Sequence, residues 1–305
     1  MPKSVCIILL NWNTPSHTLR CIETLYANCD ASVFDIVVAD NGSTDDSLNQ
    51  FKQVYPAIEY IENGENLGFA EGNNRAFDYS VEKGYAYSLL LNTDTEVHED
   101  ILTQLVSFMD QNKEVGAVQP TIYYLHEKDA LWNGGSYFNK FLGVTYSKTK
   151  GQLSEKTTKV DWITGCCMLV RNSTLKKVGF FTEKFFLYYE DVDLSFRIKQ
   201  AGYDLVFYPF VKIYHEAGVS GKSASKDKEG VVSPIIHFYN VRNRIWLLRR
   251  YGSAIFAPIN FLYSALYYGL MFSYFIVKSK KKKTNMLVKG IKEGLFTSLE
   301  SIWRR

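Results

Sequence analysis

The sequence predicts an α/β chain with a doubly wound, Rossmann-like, mostly parallel sheet followed by a C-terminal helical extension. Short apolar runs alternate with segments of helical period through its N-terminal half. Turns rich in Asn, Asp, Gly and Ser close those runs. The 305 residues can hold one large α/β domain of roughly 200–250 residues and an appendage.

The elements follow in order. Residues 5–10 are apolar and end at Asn11, the pattern of a buried parallel strand. Thr14-Pro15-Ser16 opens a helix to about Ala27. A second strand, 34–39, runs into the turn Asp40-Asn41-Gly42-Ser43. Asp45 or Ser43 can cap the next helix, which carries Leu48, Phe51 and Val54 on one face. Residues 58–61 make a third strand, 71–83 a helix and 87–91 a fourth strand. A helix over 99–111 and a short strand over 115–119 come next. Residues 123–159 read as strands and loops of an acceptor-facing insertion, and 162–171 as a further apolar element. A helix over 190–201 offers Val192, Phe196 and Ile198 for burial and stops at Gly202. Residues 205–208 form a strand, and the Gly-, Ser- and Lys-rich stretch 218–229 reads as a mobile loop. No internal repeat is visible.

Several signals bound the chemistry. No GxGxxG or GxxxxGK[ST] occurs, which argues against a nicotinamide or flavin fingerprint and against a P-loop. The five cysteines show no CxxC, so neither a zinc site nor a disulfide scaffold is expected, and a reducing cytosolic setting is. The N-terminus enters a strand directly, without the pattern of a secretory signal.

Carboxylates at strand ends point instead to a divalent cation and a phosphorylated ligand, with one acid left as a base. Asp40 can accept from a ribose hydroxyl or a base N–H, or can simply order its turn. Asn66, Gly68, Gly72 and Asn73 lie where the third strand passes into a helix. The glycines there permit close backbone approach, and the helix start leaves N–H groups free for an anion. Asn92 and Asp94 close the fourth strand, and one or both can hold Mg²⁺ or Mn²⁺ against phosphate oxygens. Glu190, Asp191 and Asp193 open a helix, where three acids also favour its positive end. Asp191 is the choice for a base taking a proton from a sugar hydroxyl. Glu190 would contact the acceptor, and Asp193 would orient the helix or Arg197. His215 is a candidate metal or diphosphate ligand, whereas His98 reads as a surface residue.

From residue 238 onward there are 13 Lys and Arg against 2 Glu, out of totals of 35 and 32. An acidic body is thus joined to a basic tail. Within that tail, 251–277 holds no charged residue and is followed by Lys278, Lys280, Lys281, Lys282 and Lys283. About 20 apolar residues can cross a bilayer, but Pro258, Asn260 and five tyrosines suit a helix lying in the interface as well. A buried or oligomer-forming helix is the remaining reading, leaving a homo-oligomer open. The apolar stretch between the charges favours an anionic membrane surface over nucleic acid. Arg242, Arg244, Arg249 and Arg250 could meet phosphate or lipid, or form a structural cluster.

The segments ILLNWN, DNGSTDDS, NLGFAEGNN, LLLNTDTEV, WITGCCMLVR and FFLYYEDVDLSFRI, with His215, Gly218 and Ser220 after them, occur in one order. Together they resemble the family-2 inverting glycosyltransferases, especially the bacterial rhamnosyltransferase-like branch, from Val5 to about Arg250. The resemblance implies a glycosyltransferase type A fold. Residues 1–237 would be the nucleotide-sugar-binding catalytic domain, with 121–237 facing the acceptor, and 238–305 the membrane-associating tail. It places Asn11, Asn13 and the turn of Asp40, Asn41 and Ser43 at the nucleotide. Asp94 becomes the metal-binding acid, Asp191 the base, and Trp162 and Gly165 the acceptor wall. The family's metal motif commonly starts with Asp or Asn and often has Pro next; here it is Asn92-Thr93-Asp94.

The implied reaction is direct displacement with inversion, from dTDP-L-rhamnose or alternatively from a UDP-linked galactose, galactofuranose, glucose or N-acetylglucosamine. The acceptor would be a lipid-diphosphate-linked glycan or polysaccharide, at the cytoplasmic face of the cell membrane. A nucleotidyltransferase or a non-catalytic glycan-binding protein are the competing readings; ILLNWNTPS lacks the basic glycine-rich loop that the former normally needs.

Overall fold

A computed structural model describes residues 3–217 and 232–303. The expected loop at 218–229, with Gly218 and Ser220, lies outside the described residues. The chain begins β1 (Val5–Asn11), α1 (Pro15–Asn28), β2 (Phe34–Asp40), α2 (Ser47–Val54), β3 (Glu59–Glu62), α3 (Gly68–Glu82) and β4 (Tyr87–Leu91). It continues with β5 (Thr95–Val97), α4 (Ile101–Gln111), β6 (Val115–Tyr124), β7 (Leu131–Asn133), β8 (Ser136–Asn139), β9 (Val144–Ser147) and β10 (Thr158–Lys159). Then come β11 (Cys167–Arg171), α5 (Asn172–Val178), α6 (Glu190–Gln200), β12 (Asp204–His215), α7 (Pro234–Tyr251), α8 (Ala257–Val277), α9 (Lys281–Phe296) and α10 (Leu299–Trp303).

β1 is apolar on both faces and so takes an interior position, parallel to β2 on one side and β4 on the other. Its side chains alternate between two cores. Ile7 and Leu9 pack with Leu25, Phe34 and Phe51, while Cys6 and Ile8 pack with Phe77, Leu175 and Leu194. α4 shows the local logic of the helices. Asp100 caps it by accepting from the Leu102 and Thr103 amides, and Ile101, Leu102, Leu105 and Met109 form its buried face.

The order β3-β2-β1-β4 is all parallel. Beyond β4 the sheet is mixed, because β11 runs antiparallel to both β4 and β6. The four strands where nucleotide chemistry was expected are thus all parallel, and on the far side of β11 the pair β6–β12 is parallel again. α3 starts at Gly68 rather than near residue 71, and β6 extends to Tyr124 rather than ending at 119. β12 runs from Asp204 to His215 rather than over 205–208. A register shift between Tyr208 and Lys212 accommodates Pro209, which has no N–H for the ladder. On α2 Val54 is exposed, and on α6 Leu194 is buried while Phe196 is only half-buried. All five cysteines are buried free thiols.

Two compact units divide the chain: the sheet unit, and a second unit made of Phe138–Tyr146, Lys184–Tyr189 and the C-terminal helices. Within this second unit Val241, Ile245, Tyr268, Phe275 and Leu287 form a core. A Cβ on Gly290 would sit 2.8 Å from the Phe238 carbonyl oxygen, so only glycine allows α9 to lie this close to α7. α8 turns Asn260, Tyr268 and Phe275 inward but leaves Phe261, Leu262, Leu266 and Leu270 exposed. It is long and apolar enough to cross a membrane, and its exposed apolar face is consistent with a membrane-associating segment.

Of the α7 arginines Arg242 and Arg244 are buried, as the structural-cluster reading allowed, whereas Arg249 and Arg250 are exposed. Arg242 donates to the Lys184 and Phe185 carbonyls, and Arg244 to Ser264, Tyr268 and the Gly143 carbonyl. Arg249 donates to the Gly294 and Thr297 carbonyls, and Arg250 lies over the Trp303 ring. Each is spent on backbone acceptors, hydroxyls or an aromatic face within its own unit.

Candidate active site

Because β1, β2 and β4 are parallel neighbours, Asn11, Asp40 and Asn92 emerge at one edge of the sheet. Asn11 lies in register with Asp40. Its Nδ2 donates to Asp40 Oδ1 and to Ser43 Oγ, both at 3.0 Å, and its Oδ1 accepts from Thr14 and Thr18. Asp40 Oδ2 accepts from the Ser43 amide at 2.9 Å. Asn13, at φ 54°, donates its amide to Ser43 Oγ and accepts from the Thr44 amide through Oδ1. Asp40 therefore orders this turn, with lone pairs to spare on each oxygen.

A second layer of amides supports the turn. Asn41 Nδ2 donates to Asn66 Oδ1 and the Gly68 carbonyl, while Asn41 Oδ1 accepts from Asn63 Nδ2 and the Leu67 amide. Asn66 Oδ1 also accepts from the Gly68 amide. A Cβ on Gly72 would come within 2.9 Å of Asn41 Oδ1, so a side chain there would press on the network. Asn73 donates back to the Phe69 carbonyl, and its Oδ1 is buried without a partner. Asn63 went unnoticed in the sequence, where it looks like another turn residue.

Beyond β4, Asp94 Oδ1 lies 3.1 Å from His215 Nε2, with little of either side chain exposed. The two are brought together because β5 pairs with the end of β12. His215 Nδ1 is buried without a hydrogen-bond partner, and the Trp132 ring stands edge-on against the imidazole. A cavity of about 300 Å³ opens beside Asp94, lined also by His17, Arg20, Glu96, His126 and Glu216. Glu216 holds His17 at 3.0 Å and stands 3.6 Å from His126. Neither Asp40 nor Asp191 lines this cavity. Among the described residues no group of three or more His, Cys, Asp or Glu is arranged to hold a metal ion.

Asp191 stands in the first turn of α6. Its Oδ2 accepts from the Gly165 amide at 3.0 Å and its Oδ1 from the Val192 amide at 2.8 Å. The next carbonyl, that of Cys166, accepts from the Asn92 amide at 2.9 Å. Two adjacent residues thus tie Asp191 to the turn that carries Asp94. Burial pushes the Asp191 carboxyl up to about 6, against the pull of the Gly165 and Val192 amides. Glu190 is driven well above the ordinary range, first by burial and then by the Asp191 charge, and its Oε2 has no partner. Asp193 pairs with Arg197 at 2.9 Å, and that guanidinium also holds the Val178, Gly179 and Phe180 carbonyls. Trp162 donates its indole N–H to the Tyr137 carbonyl. A Cβ on Gly165 would meet the Phe69 ring at 3.0 Å.

A parallel nucleotide-type half joined to a mixed half defines a GT-A-like fold. The chain is similar to the solved structure of GalNAc-T7 with UDP, GalNAc and Mn²⁺, at TM-score 0.66 and 13% identity, covering 98% of this chain and 57% of that one. It is also similar to the mannosyltransferase PcManGT of Pyrobaculum calidifontis in complex with GDP-Man and Mn²⁺, at TM-score 0.57 and 14% identity, covering 98% and 87%. Residues 4–179 match the family model "Glycosyl transferase family 2", and the chain belongs to that family. Among its relatives is the N-acetylglucosaminyl-diphospho-decaprenol L-rhamnosyltransferase of Mycobacterium tuberculosis, 25% identical over 71% of this chain and 77% of that protein. Rhamnosyltransferase WbbL of Escherichia coli is 29% identical over 72% and 86%. The dTDP-rhamnosyl transferase RfbF of Shigella flexneri is 22% identical over 95% and 94%.

Proposed function

We propose that this chain is an inverting glycosyltransferase carrying L-rhamnose from dTDP-L-rhamnose to a hydroxyl of a lipid-diphosphate-linked glycan or polysaccharide. The observation that carries the reading is Asp191, a raised carboxylate tied through Gly165 and Cys166 to the strand end bearing Asp94. The rhamnosyltransferase names of three relatives favour rhamnose.

In this reading the nucleotide lies at the Asn11, Asn13 and Asp40–Ser43 turn, whose hydrogen bonds fix its shape before a ligand arrives. Asp191 accepts the proton of the acceptor hydroxyl. The acceptor oxygen forms its bond to the anomeric carbon as that carbon's bond to the diphosphate breaks, and attack from the opposite face inverts the centre. Glu190, whose carboxyl is pushed upward by burial and by the Asp191 charge, would contact the acceptor. Trp162 and Gly165 border the acceptor side.

Asp94 and His215 offer one carboxylate and one imidazole, a donor set that fits Mg²⁺ or Mn²⁺ only if phosphate and water supply the remaining ligands. Such an ion would offset negative charge on the departing diphosphate. Residues 1–237 would carry catalysis, and 238–305 would hold the enzyme at the cytoplasmic face of the membrane.

The test is a panel of sugar nucleotides with a lipid-linked acceptor and divalent metal, scored by product and by anomeric configuration. Transfer from dTDP-L-rhamnose with inversion is expected. Transfer from UDP-sugars alone would reassign the donor, and retention or pyrophosphate release from a nucleoside triphosphate would overturn the reading.

A further inference from the structure

The residues leading into Glu190 and Asp191 adopt a backbone that their side chains disfavour. Phe186, Tyr188 and Tyr189 have φ of 61°, 69° and 70°, in the left-handed region that bulky residues seldom enter. The Leu187 amide donates to the Phe185 carbonyl at 2.7 Å, closing a tight turn over Phe186. Such a path persists only when its surroundings hold it.

They do so through one fully buried side chain of the same unit. Asn243, on α7, points its Nδ2 at the carbonyls of Phe185, Leu187 and Tyr188, at 2.9, 2.9 and 2.8 Å. Two amide hydrogens face three acceptors, so at least one is shared. The amide orientation is fixed chemically, since Arg242 Nε donates to Asn243 Oδ1 at 2.9 Å. Arg242 also donates to the Lys184 and Phe185 carbonyls, and Phe186 stacks on Tyr239 with ring centroids 5.0 Å apart. Consecutive residues of one helix thus engage carbonyls at 184, 185, 187 and 188. The clamped segment ends at Tyr189, whose peptide bond leads directly into Glu190 and Asp191.

We infer that Asn243 is a positioning residue for the transfer reaction: by clamping the left-handed 185–189 backbone it sets where α6 begins and hence where Asp191 presents its carboxylate. This rests on the proposed role of Asp191 as base. An aspartate at 243 would have the same shape but would aim a carboxylate at three carbonyls and lose both donors.

The full-length Asn243→Asp variant is compared with wild type by turnover, by nucleoside diphosphate binding and by amide hydrogen exchange. A fall in kcat of about a hundredfold is expected, the scale of a misplaced catalytic group. Nucleoside diphosphate affinity should stay within about twofold, since the Asp40 turn is built independently, whereas a general loss of fold would weaken both. Faster exchange confined to 185–192 should accompany the loss. Asn243→Ser, which keeps one donor, should retain intermediate kcat and carries the test if the aspartate variant does not fold. Unchanged kcat and exchange in either folded variant would overturn the inference, as would loss of the fold in both. The exchange readout needs no activity, so a wild-type enzyme that fails to transfer sugar would refute the proposed reaction without touching the clamp.

Discussion

The Gly165 amide donates to Asp191 Oδ2 at 3.0 Å. That bond fixes the carboxylate against the edge where β4 delivers Asn92 and Asp94, because the Cys166 carbonyl accepts from the Asn92 amide. Asp191, the proposed base, and the turn that carries Asp94 are thus joined through the backbone of Gly165 and Cys166. A Cβ at 165 would meet the Phe69 ring at 3.0 Å, so a larger residue there has to displace that ring.

Replacing Asp191 by Asn tests the base directly. The amide oxygen can still accept from Gly165, so the fold and nucleotide binding should survive. Turnover should fall by about 10²–10⁴-fold, the usual contribution of a positioned general base. Wild-type turnover in a folded D191N enzyme would remove Asp191 from this role.

The pH dependence follows from the same carboxyl. As the proposed base Asp191 would act deprotonated, and burial pushes its carboxyl up to about 6, so kcat should fall as pH drops through about 6 and level off above it. Stability has the opposite sign. The folded pKa lies above the unfolded carboxylate value of about 3.9. The contribution is therefore fully present below that value and is lost as pH rises through about 6. Melting temperatures of wild type and D191N between pH 4 and 7 should diverge in this sense. Parallel curves would show that Asp191 is not desolvated in solution.

The N-terminal half was legible because β1, β2 and β4 are largely apolar runs closed by Asn or Asp and the helices repeat their apolar residues at helical spacing. What the sequence hid is non-local. The antiparallel direction of β11 leaves no trace in CMLVR, and the continuation of β12 past Pro209 depends on pairing with β6. Asp94 and His215 were each candidate ligands, but only the β5–β12 pairing puts them 3.1 Å apart. Asn243 sits among arginines, a composition that reads as a solvated helix face, and only tertiary burial identifies it. For Arg242 and Arg244 likewise, only tertiary burial chooses the structural cluster over lipid or phosphate contact.

Asp94→Ala removes the carboxylate and leaves the buried His215 imidazole without its partner. A stability loss of about 1–3 kcal/mol is expected from that unpaired group. Nucleoside diphosphate binding in Mn²⁺ should weaken toward the value measured with chelator, and His215→Ala should act in the same direction. Calorimetric titration with and without metal is the measurement. If D94A kept the full metal-dependent increment, Asp94 would have no part in holding an ion.

Membrane association is best tested by point substitution, because α8 shares a core with α7 and α9 and its deletion would expose Val241, Ile245 and Leu287. Phe261, Leu262, Leu266 and Leu270 are more than half exposed and contribute little to that core. Each large apolar side chain transferred from water is worth about 1.5–3 kcal/mol. Changing Leu262, Leu266 and Leu270 to Ser should therefore abolish sedimentation with liposomes while leaving the melting temperature nearly unchanged. Lys280, Lys281 and Lys282 changed to Glu should weaken binding to anionic vesicles by about 1 kcal/mol per residue or more, and less to neutral ones. The inward stripe of Asn260, Tyr268 and Phe275 occupies one side of α8, which leaves the opposite side for lipid and suits a helix lying along the interface. Cleavage at both flanks of 251–277 by protease added on the protein's side of sealed vesicles would support the interfacial arrangement. Cleavage near residue 278 from the opposite side of the bilayer would establish a span instead.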